Sequence, residues 1–490
     1  MNSSLYAFTL GREWKLSLAE LFAVWGEEAY REHTETIAIF QILGYSDEQI
    51  QKRFLTIGGS IRVMKVIGES DPKRFPTDVI QEIQDAHSRH SEERRIQELR
   101  KKSLDTSQVQ YDENGKWWKI TFALGAYGLD FQLSNIGLRI KKTLQERGYS
   151  ARLVNTENEN IVSAVFKRER LWKTGLELNL IAMTPLSKGE WSQEPRTKNQ
   201  EPRTYLTITL ACQDIDAYTR RDTGKSRDMV VGMMPPKLVQ MMINITTTSS
   251  QPSPKREGGF GSPSLKEKGS GDEGIYDPFC GLGTTLIEAA NMGITRIYGS
   301  DLSPEMVAAS KQSLAEFIRE ERVWQERIKA AWGTPSKDFS DFESDIFLLD
   351  ARKIRTGLER ILRSSNLRTF EPSNIQIISE WYLGEMMSPR DITLDKVQSE
   401  RKKLASLYMD FFSWLRDAKF CGSLVMSFPF WNMHGTYSYF TEIYDVIEKC
   451  GFQVIDLLPG AMWLNTRHGS LLYRRENQTV GREIVKMVRR

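Results

Sequence analysis

The strongest chemical signature in the chain is a glycine-rich turn, Asp-Pro-Phe-Cys-Gly-Leu-Gly-Thr-Thr, at residues 277–285. A short apolar run precedes it and a stretch with helical periodicity follows, so we predict a strand entering the turn and a helix leaving it. Gly281 and Gly283 allow a tight turn and a close approach of backbone to ligand. Leu286 replaces the third glycine of a dinucleotide fingerprint, which argues against NAD.

Two further acids end the next two predicted strands. Asp301 follows Asp277 by one strand–helix–strand step, and Asp350 ends the third strand. Parallel strand ends meet in the crevice where such sheets bind ligands. We assign to Asp301 the acceptance of two ribose hydroxyls and to Asp350 the acceptance of an adenine amino group. The three acids and the glycines together predict a bound nucleoside.

The elements around these residues alternate between strand and helix after about residue 274. This alternation predicts a parallel sheet with helices on both faces. Upstream, aromatic and β-branched residues predict a strand at 117–124, and apolar spacing predicts a helix at 136–145, so this section is of the α+β class. Ser17 followed by Glu20 predicts a capping box at a helix start.

Composition excludes several classes of protein. The chain has 490 residues, a net charge of +3, 40% hydrophobic and 10% aromatic residues, which excludes a wholly disordered, collagenous or coiled-coil protein and suggests about three domains. We expect no membrane span, no secretory signal and no metal site, because no long apolar run and no metal-ligand spacing is present. Four scattered cysteines favour a reducing cytoplasm over a disulfide framework.

Charge and low complexity mark two sections. Residues 139–173 contain nine Lys or Arg and four Glu, a local basic patch that is typical of phosphate binding but also of a solvated helical face. Residues 249–274 are rich in Ser, Pro and Gly, so we predict a disordered insertion there.

At this point the motifs resemble a family. DPFCGLGTT, SDLSPEM and LLDARKI resemble motifs I, II and III of the class I S-adenosylmethionine-dependent methyltransferases. Upstream, Arg221-Asp222, Arg227-Asp228 and 232–238 resemble the segment that precedes motif I in THUMP-domain tRNA guanine-N2-methyltransferases. Residues 120–178 resemble the THUMP RNA-binding domain, and 6–20 resemble the N-terminal domain of the same family. The resemblance covers most of the chain.

The resemblance implies S-adenosyl-L-methionine as cofactor and tRNA as partner, with methylation of the exocyclic N2 amine of a guanosine, commonly position 10. It implies a Rossmann-like class I methyltransferase domain preceded by α+β N-terminal and THUMP-like domains. The residues implied to hold the cofactor are Asp277, Phe279, Gly281, Gly283, Thr284, Asp301, Leu302, Asp350 and Ala351. Those implied to bind RNA are Lys141, Lys142, Arg147, Arg152, Lys167, Arg168 and Arg170.

The fourth motif departs from the family. An Asp-Pro-Pro-Tyr-type turn is typical there, but this chain has Ser-Glu-Trp-Tyr-Leu-Gly at 379–384. Glu380 takes the place of the Asp, and we expect it to orient the amine or accept its proton. Trp381 or Tyr382 would stack on the base. We name these three as the candidate catalytic residues.

The predicted organisation is an N-terminal α+β domain at 1–80, a THUMP-like domain at 81–185, a linker and the start of the methyltransferase domain at 186–248, the insertion at 249–274 and the methyltransferase domain at 275–490. An accessory subunit stays an open question. Two other functions stay open: an amino-methyltransferase acting on DNA, and an RNA-binding or differently targeted protein of the same fold. Carbon-5 methylation of pyrimidines needs a thiolate, whereas Cys280 lies inside the cofactor loop, where packing is its expected role.

Overall fold

The computed structural model describes residues 3–102, 120–155, 159–183, 203–223, 234–246, 274–332, 342–364, 372–380, 382–385, 387–459, 468–476 and 478–490. The predicted insertion, apart from Gly274, lies outside the described residues, and so does Trp381. The predicted motif residues Arg227, Asp228 and Gly232 lie outside them as well.

The described residues up to 223 form eight strands and seven helices. In chain order they are β1 (Ser3–Leu10), α1 (Trp14–Trp25), β2 (Tyr30–His33), β3 (Ile37–Leu43), α2 (Asp47–Phe54), β4 (Ser60–Glu69), α3 (Phe75–Lys102), β5 (Ile120–Tyr127), α4 (Leu133–Glu146), β6 (Ala151–Leu153), α5 (Ser163–Arg168), α6 (Leu171–Thr174), β7 (Gly175–Met183), β8 (Arg203–Cys212) and α7 (Ile215–Thr223).

The second part alternates strand and helix until its last strands. It contains α8 (Pro236–Thr246), β9 (Gly274–Asp277), α9 (Thr284–Asn291), β10 (Arg296–Asp301), α10 (Pro304–Trp332), β11 (Glu343–Leu348), α11 (Ile354–Ser364), β12 (Ile375–Glu380), α12 (Leu394–Asp417), β13 (Leu424–Met433), β14 (Thr436–Tyr439), α13 (Glu442–Lys449), β15 (Phe452–Ile455), β16 (Leu471–Tyr473) and β17 (Val480–Arg489). Two short 3₁₀ turns, Ala351–Lys353 and Pro372–Asn374, precede α11 and β12.

The chain divides into two compact units. Unit 1 contains residues 1–10, 29–54 and 60–215, and unit 2 contains residues 11–28, 55–59 and 216–490. Unit 1 holds one eight-stranded sheet in the order β2-β3-β1-β4-β8-β7-β5-β6. Its pairs are antiparallel except for β5 with β6 and β5 with β7. The packing of α3 and α4 on this sheet gives unit 1 an apolar core around Phe75, Phe122 and Ile140.

The sheet of unit 2 is doubly wound and mostly parallel. Its order is β11-β10-β9-β12-β13-β17-β15, and the first five strands run parallel while β17 is antiparallel to both β13 and β15. The strand order reverses between β9 and β12, so a crevice opens there at the carboxyl ends of the strands. The predicted α/β architecture with a Rossmann-like sheet is confirmed.

Helix α1 belongs to unit 2 although it lies near the start of the chain. It contacts α8, and both helices bury apolar residues on most of their surface. Glu20 is fully buried, and its carboxylate accepts hydrogen bonds from the amides of Gly58 (2.8 Å) and Gly59 (2.7 Å) and from Nδ2 of Asn244 (2.7 Å). This carboxylate therefore joins three separate stretches of chain.

One expectation differs from this arrangement. The capping box was wrong: α1 begins at Trp14, so Ser17 is an internal residue whose hydroxyl donates to the carbonyl of Gly59 (2.8 Å). The ranges 1–80 and 81–185 stay a prediction; strands from both belong to one sheet, because β4 pairs with β8 and β8 pairs with β7. In the described part of the chain no helix is long and apolar enough to cross a membrane.

Candidate active site

The glycine-rich turn lies at the carboxyl end of β9, where the sheet reverses its order. Gly281 and Gly283 have φ angles of +49° and +84°, a region that favours glycine. A Cβ on Gly283 would lie 3.2 Å from Oγ of Ser310, so this position packs against α10. A Cβ on Gly281 would have no neighbour closer than 4.0 Å. Its backbone therefore borders open space that a ligand can enter.

The other residues of the turn are packed into the unit. The ring of Phe279 lies 6.1 Å from that of Phe411, and Thr284 is buried as the first residue of α9. Cys280 is buried, and burial raises the pKa of its thiol well above the ordinary value. A buried neutral thiol is a poor nucleophile, which agrees with the predicted packing role.

Asp277 ends β9 and is almost fully buried. Its Oδ1 accepts hydrogen bonds from the amide of Phe279 (3.0 Å) and from Oγ of Ser379 (2.6 Å). Ser379 lies on β12, so the carboxylate joins the two strand ends on either side of the crevice. Burial raises the pKa of Asp277 to about 6, while these hydrogen bonds oppose the shift. Asp277 therefore shapes the turn, and its predicted contact with the cofactor stays a prediction.

Asp301 ends β10, the neighbouring strand. Its two oxygens each accept one backbone amide: Oδ2 that of Gly281 (3.0 Å) and Oδ1 that of Ser303 (3.0 Å). A carboxylate has about four lone-pair sites, so each oxygen keeps acceptor capacity toward the crevice. Leu302 follows with 68% of its surface exposed. Asp301 thus holds the glycine turn while remaining able to accept a ligand's hydroxyls.

Asp350 follows β11 and caps a short 3₁₀ turn. It accepts the amide of Arg352 (3.0 Å) and pairs with the guanidinium of the same residue. Hydrogen bonds from Arg352 hold the pKa of Asp350 below its ordinary value. Ala351 is buried beneath it. The three acids thus lie at or just after the ends of three adjacent strands, as their spacing predicted.

Glu380 ends β12 on the other side of the crevice. Its carboxylate forms a two-point ion pair with Arg482 of β17: Nη2 of Arg482 donates to Oε1 (2.8 Å), and Nε donates to Oε2. The two side chains are only 10% and 4% exposed. Glu380 is therefore held in one orientation by a cation that the sequence did not predict.

Two aromatic residues, Trp381 and Tyr382, follow the end of β12. The side chain of Tyr382 is 52% exposed, which leaves its ring accessible. Trp381 lies outside the described residues. Both remain predictions as base-stacking groups.

Arg482 and Ser379 are the polar groups that sequence reasoning missed. Ser379 was noted only as a member of the motif, and Arg482 lies in the last strand, which also contains Glu483 and Lys486. Charged residues between the apolar residues of a strand were a signal, because charged residues are rarely buried unless paired. The pairing of Arg482 with Glu380 could not be inferred from the sequence, because 102 residues separate the two.

The predicted RNA-binding residues all lie in unit 1, but several already have partners. Lys141 and Lys142 lie on α4 and Lys167 and Arg168 on α5. Arg152 and Arg168 both pair with Glu169, at 2.8 and 3.4 Å. Lys167 pairs with Asp214 at 2.6 Å. Lys142 pairs with Glu146 at 3.9 Å. The amide of Arg147 caps α4, and its side chain donates to Gln84. Arg170 has a positive φ of 51°. Part of the basic charge is thus neutralised within the unit.

Comparison with known proteins finds similarity in the section of chain that contains the glycine turn. Residues 268–331, which include the glycine turn and Asp301, match the family model described as RMKL-like, methyltransferase domain. A tRNA (guanine(10)-N2)-dimethyltransferase of Methanothermobacter thermautotrophicus is 26% identical over 159 residues, which cover 32% of this chain and 37% of that protein. The chain thus matches little more than a third of the length of this curated relative.

Solved structures of similar architecture include TrmN from Thermus thermophilus, with 12% identity, a TM-score of 0.41 and coverage of 100% of both chains. Another is SMU.472, a putative methyltransferase complexed with SAH, with 11% identity, a TM-score of 0.40 and coverage of 99% and 98%. The motifs, the family model and the relative together confirm the resemblance of this chain to the tRNA guanine-N2-methyltransferases. Within unit 2, the similarity to an RMKL-like methyltransferase domain extends over residues 268–331.

Proposed function

We propose that this protein transfers a methyl group from S-adenosylmethionine to the exocyclic N2 amine of a tRNA guanosine. The observation that carries the proposal is the crevice between β9 and β12. On one side lie the glycine turn and the strand-end acids, and on the other lie the clamped carboxylate of Glu380 and the exposed ring of Tyr382.

The residues on the first side fit a nucleoside cofactor. The open space beside Gly281 admits a ligand close to the backbone, and Asp301 retains acceptor capacity for two ribose hydroxyls. Asp350 and Ala351 follow the next strand, where an adenine amine would find an ionised acceptor. S-adenosylmethionine supplies, when bound, a methyl carbon that is electrophilic because it is attached to a sulfonium. This chain then has to orient the acceptor amine, so positioning accounts for much of the rate.

The residues on the second side suit an exocyclic amine. In the proposed reaction the amine nitrogen forms a bond to the methyl carbon while the carbon–sulfur electron pair stays on sulfur. The lone pair of this nitrogen is delocalised into the guanine ring, so a hydrogen-bond acceptor is needed to direct it. Glu380 would accept one N–H of the amine, and the proton lost after transfer would go to this carboxylate or to water. The exposed ring of Tyr382, or that of Trp381, would stack on the base.

The test uses the full-length protein, methyl-labelled S-adenosylmethionine and unmodified tRNA transcripts, followed by digestion to nucleosides. We expect label in N2-methylguanosine at position 10, the position that the family resemblance and the similar tRNA (guanine(10)-N2)-dimethyltransferase suggest. Glu380→Ala should abolish the label, whereas Glu385→Ala, which removes an exposed glutamate paired with Lys403, should retain it. Tight cofactor binding without labelled RNA would instead favour a non-catalytic RNA-binding protein or another substrate.

We further propose that tRNA, in the cytoplasm, contacts the basic face of unit 1. Lys141 and Lys142 are the strongest candidates because they lie side by side on α4 and the nearest carboxylate to Lys142 is 3.9 Å away. Replacing both with alanine should weaken tRNA binding and reduce the salt dependence of log Kd by about two counterions. Lys52→Ala is the matched control, since this lysine lies on α2 of the same unit beside Glu48. An unchanged salt dependence would contradict the assignment.

A further inference from the structure

We infer that Arg482 is a positioning residue for methyl transfer: its guanidinium fixes the carboxylate of Glu380 in the orientation that receives the acceptor amine. The inference rests on the proposed function and adds to it a residue of the last strand, far in sequence from every motif. Arg482 is not placed in contact with the substrate, and it would act through Glu380.

The sheet register explains how the two side chains meet. Glu380 of β12 lies opposite Ser427 of β13, and Arg482 of β17 lies opposite Pro429 of the same strand. Positions 427 and 429 of β13 point to the same face of the sheet. Arg482 therefore crosses β13 diagonally and reaches a residue two strands away.

The geometry of the pair restricts the carboxylate strongly. A guanidinium is a planar fork whose parallel N–H groups match two carboxylate oxygens, and both oxygens of Glu380 are engaged. Glutamate has one more rotatable bond than the aspartate typical of this motif, so it has more orientations to lose. Each oxygen still has a lone pair after accepting from Arg482. The ion pair with Arg482 thus fixes the longer side chain of Glu380, and the carboxylate can still accept a further hydrogen bond.

Arg482 is itself held by the loop that precedes β17. Its Nη1 lies 3.4 Å from Oε1 of Gln478. Arg474 closes this loop, because its Nη1 donates to the backbone carbonyls of Arg475 (3.2 Å), Glu476 (2.8 Å) and Gln478 (3.0 Å). The guanidinium of Arg482 therefore lies between a fixed loop and the end of β12, which is the support that a positioning group needs.

A purely structural role would give a different result from a positioning role. Removing one partner of a buried ion pair leaves an uncompensated charge and destabilises a protein wherever the pair lies. Positioning predicts in addition that the catalytic loss depends on Glu380. The two roles are therefore separated by measuring kcat and stability for each single variant and for the double variant.

The experiment compares wild type, Arg482→Gln, Glu380→Gln and the double variant in tRNA methylation. Arg482→Gln should lower kcat by about 10- to 100-fold, the effect of losing hydrogen bonds to a charged group, and leave the cofactor Kd and the KM for tRNA nearly unchanged. In the Glu380→Gln background, Arg482→Gln should lower kcat no further. Multiplicative losses, or full activity of Arg482→Gln, would overturn the inference.

Two more variants separate positioning from folding. Arg482→Lys retains the charge but not the fork, so it should remain folded and recover part of the activity lost in Arg482→Gln; no recovery would count against the inference. Arg62→Gln removes a comparably buried ion pair with Glu177 in unit 1 and should lower the melting temperature without lowering kcat. If wild type does not methylate tRNA, both proposals fail. If it does and the double variant shows independent losses, only the role of Arg482 fails.

Discussion

Two carboxylates on either side of the crevice are stabilised by different partners. Asp277 is surrounded by neutral donors, an amide and a hydroxyl, whereas Glu380 faces a guanidinium. Neutral donors offset only part of the cost of burying a charge, while a cation in a two-point pair offsets more. Burial therefore disfavours the ionised form of Asp277 in the free protein.

This difference predicts a pH dependence of stability that belongs to Asp277. Burial raises its folded-state pKa to about 6, above the ordinary 3.8, so its stabilising contribution is full below about pH 4 and is lost as the pH rises through about 6. We expect the melting temperature of wild type minus that of Asp277→Asn, measured without cofactor, to be largest near pH 4 and to shrink toward pH 7.

Ser379→Ala provides the matched variant for this measurement. The Ser379 hydroxyl lowers the pKa of Asp277 by donating to the carboxylate, so its loss should move the transition to higher pH. A difference in melting temperature that stays constant from pH 4 to pH 7 would contradict the assignment.

Sequence reasoning located the acids but not their partners. Asp277, Asp301 and Asp350 could be placed because each follows a short apolar run, and such a run is a local property of the chain. The pairing of Glu380 with Arg482 could not be predicted in this way. It depends on β17, which follows Glu380 by about a hundred residues in the sequence and pairs with β13 in the sheet. The sequence showed the glutamate only as a departure from the family's motif, whereas the structure shows the cation that pairs with it.

Among the elements, the glycine turn offers a direct test of its geometry. Gly283→Ala should destabilise the protein by about 2 kcal/mol, because an L-residue at φ +84° is strained and its Cβ would crowd Ser310 at 3.2 Å. We also expect the cofactor Kd to rise about tenfold, a cost of order 1.4 kcal/mol. Thermal unfolding and calorimetry measure the two effects.

Gly293→Ala is a control with the same backbone strain. Its φ is also +84°, but a Cβ there would meet nothing within 4 Å, and it lies after α9 rather than before it. We expect a smaller loss of stability and an unchanged cofactor affinity. Equal effects of the two substitutions on affinity would show that the turn does not contact the cofactor.

The wrong capping box illustrates a limit of local patterns. Ser17 and Glu20 have the spacing of a capping pair, yet both side chains bond to residues far away in sequence: Ser17 to Gly59 and Glu20 to Gly58, Gly59 and Asn244. Neither residue is needed to cap α1, which starts one turn earlier. The two residues have the spacing of a capping pair, but their side chains bond to residues that the tertiary structure brings near them.

For the whole molecule, the assembly of unit 2 from three stretches of chain makes residues 11–28 part of the unit that carries the candidate site. Glu20→Ala should lower the free energy of unfolding by about 3 kcal/mol, because three donors within the unit lose their acceptor. Glu48→Ala, which removes an exposed glutamate paired with Lys52, should change it by about 0.5 kcal/mol or less. Chemical denaturation of the full chain measures both, and similar losses in the two variants would contradict the role of Glu20.

The sequence predicted the architecture of unit 2 only in part. Alternation of strand and helix after residue 274 correctly indicated the doubly wound sheet. No comparable sequence pattern indicated that α1 and residues 55–59 belong to the same unit as residues 216–490, because apolar helices pack equally well on many partners. Contacts across more than 200 residues are set by the fold as a whole.

The same arrangement has a consequence for synthesis on the ribosome. Strands β1 to β8 of unit 1 are complete once residue 212 has been made, while α1 must wait for α8, which begins at Pro236. At roughly 5–20 residues per second, α1 lacks its contacts with α8 for on the order of 10–40 s. The nascent chain therefore exposes, throughout that interval, the face of α1 that α8 later covers, and unit 2 is completed only after most of the polypeptide has been made.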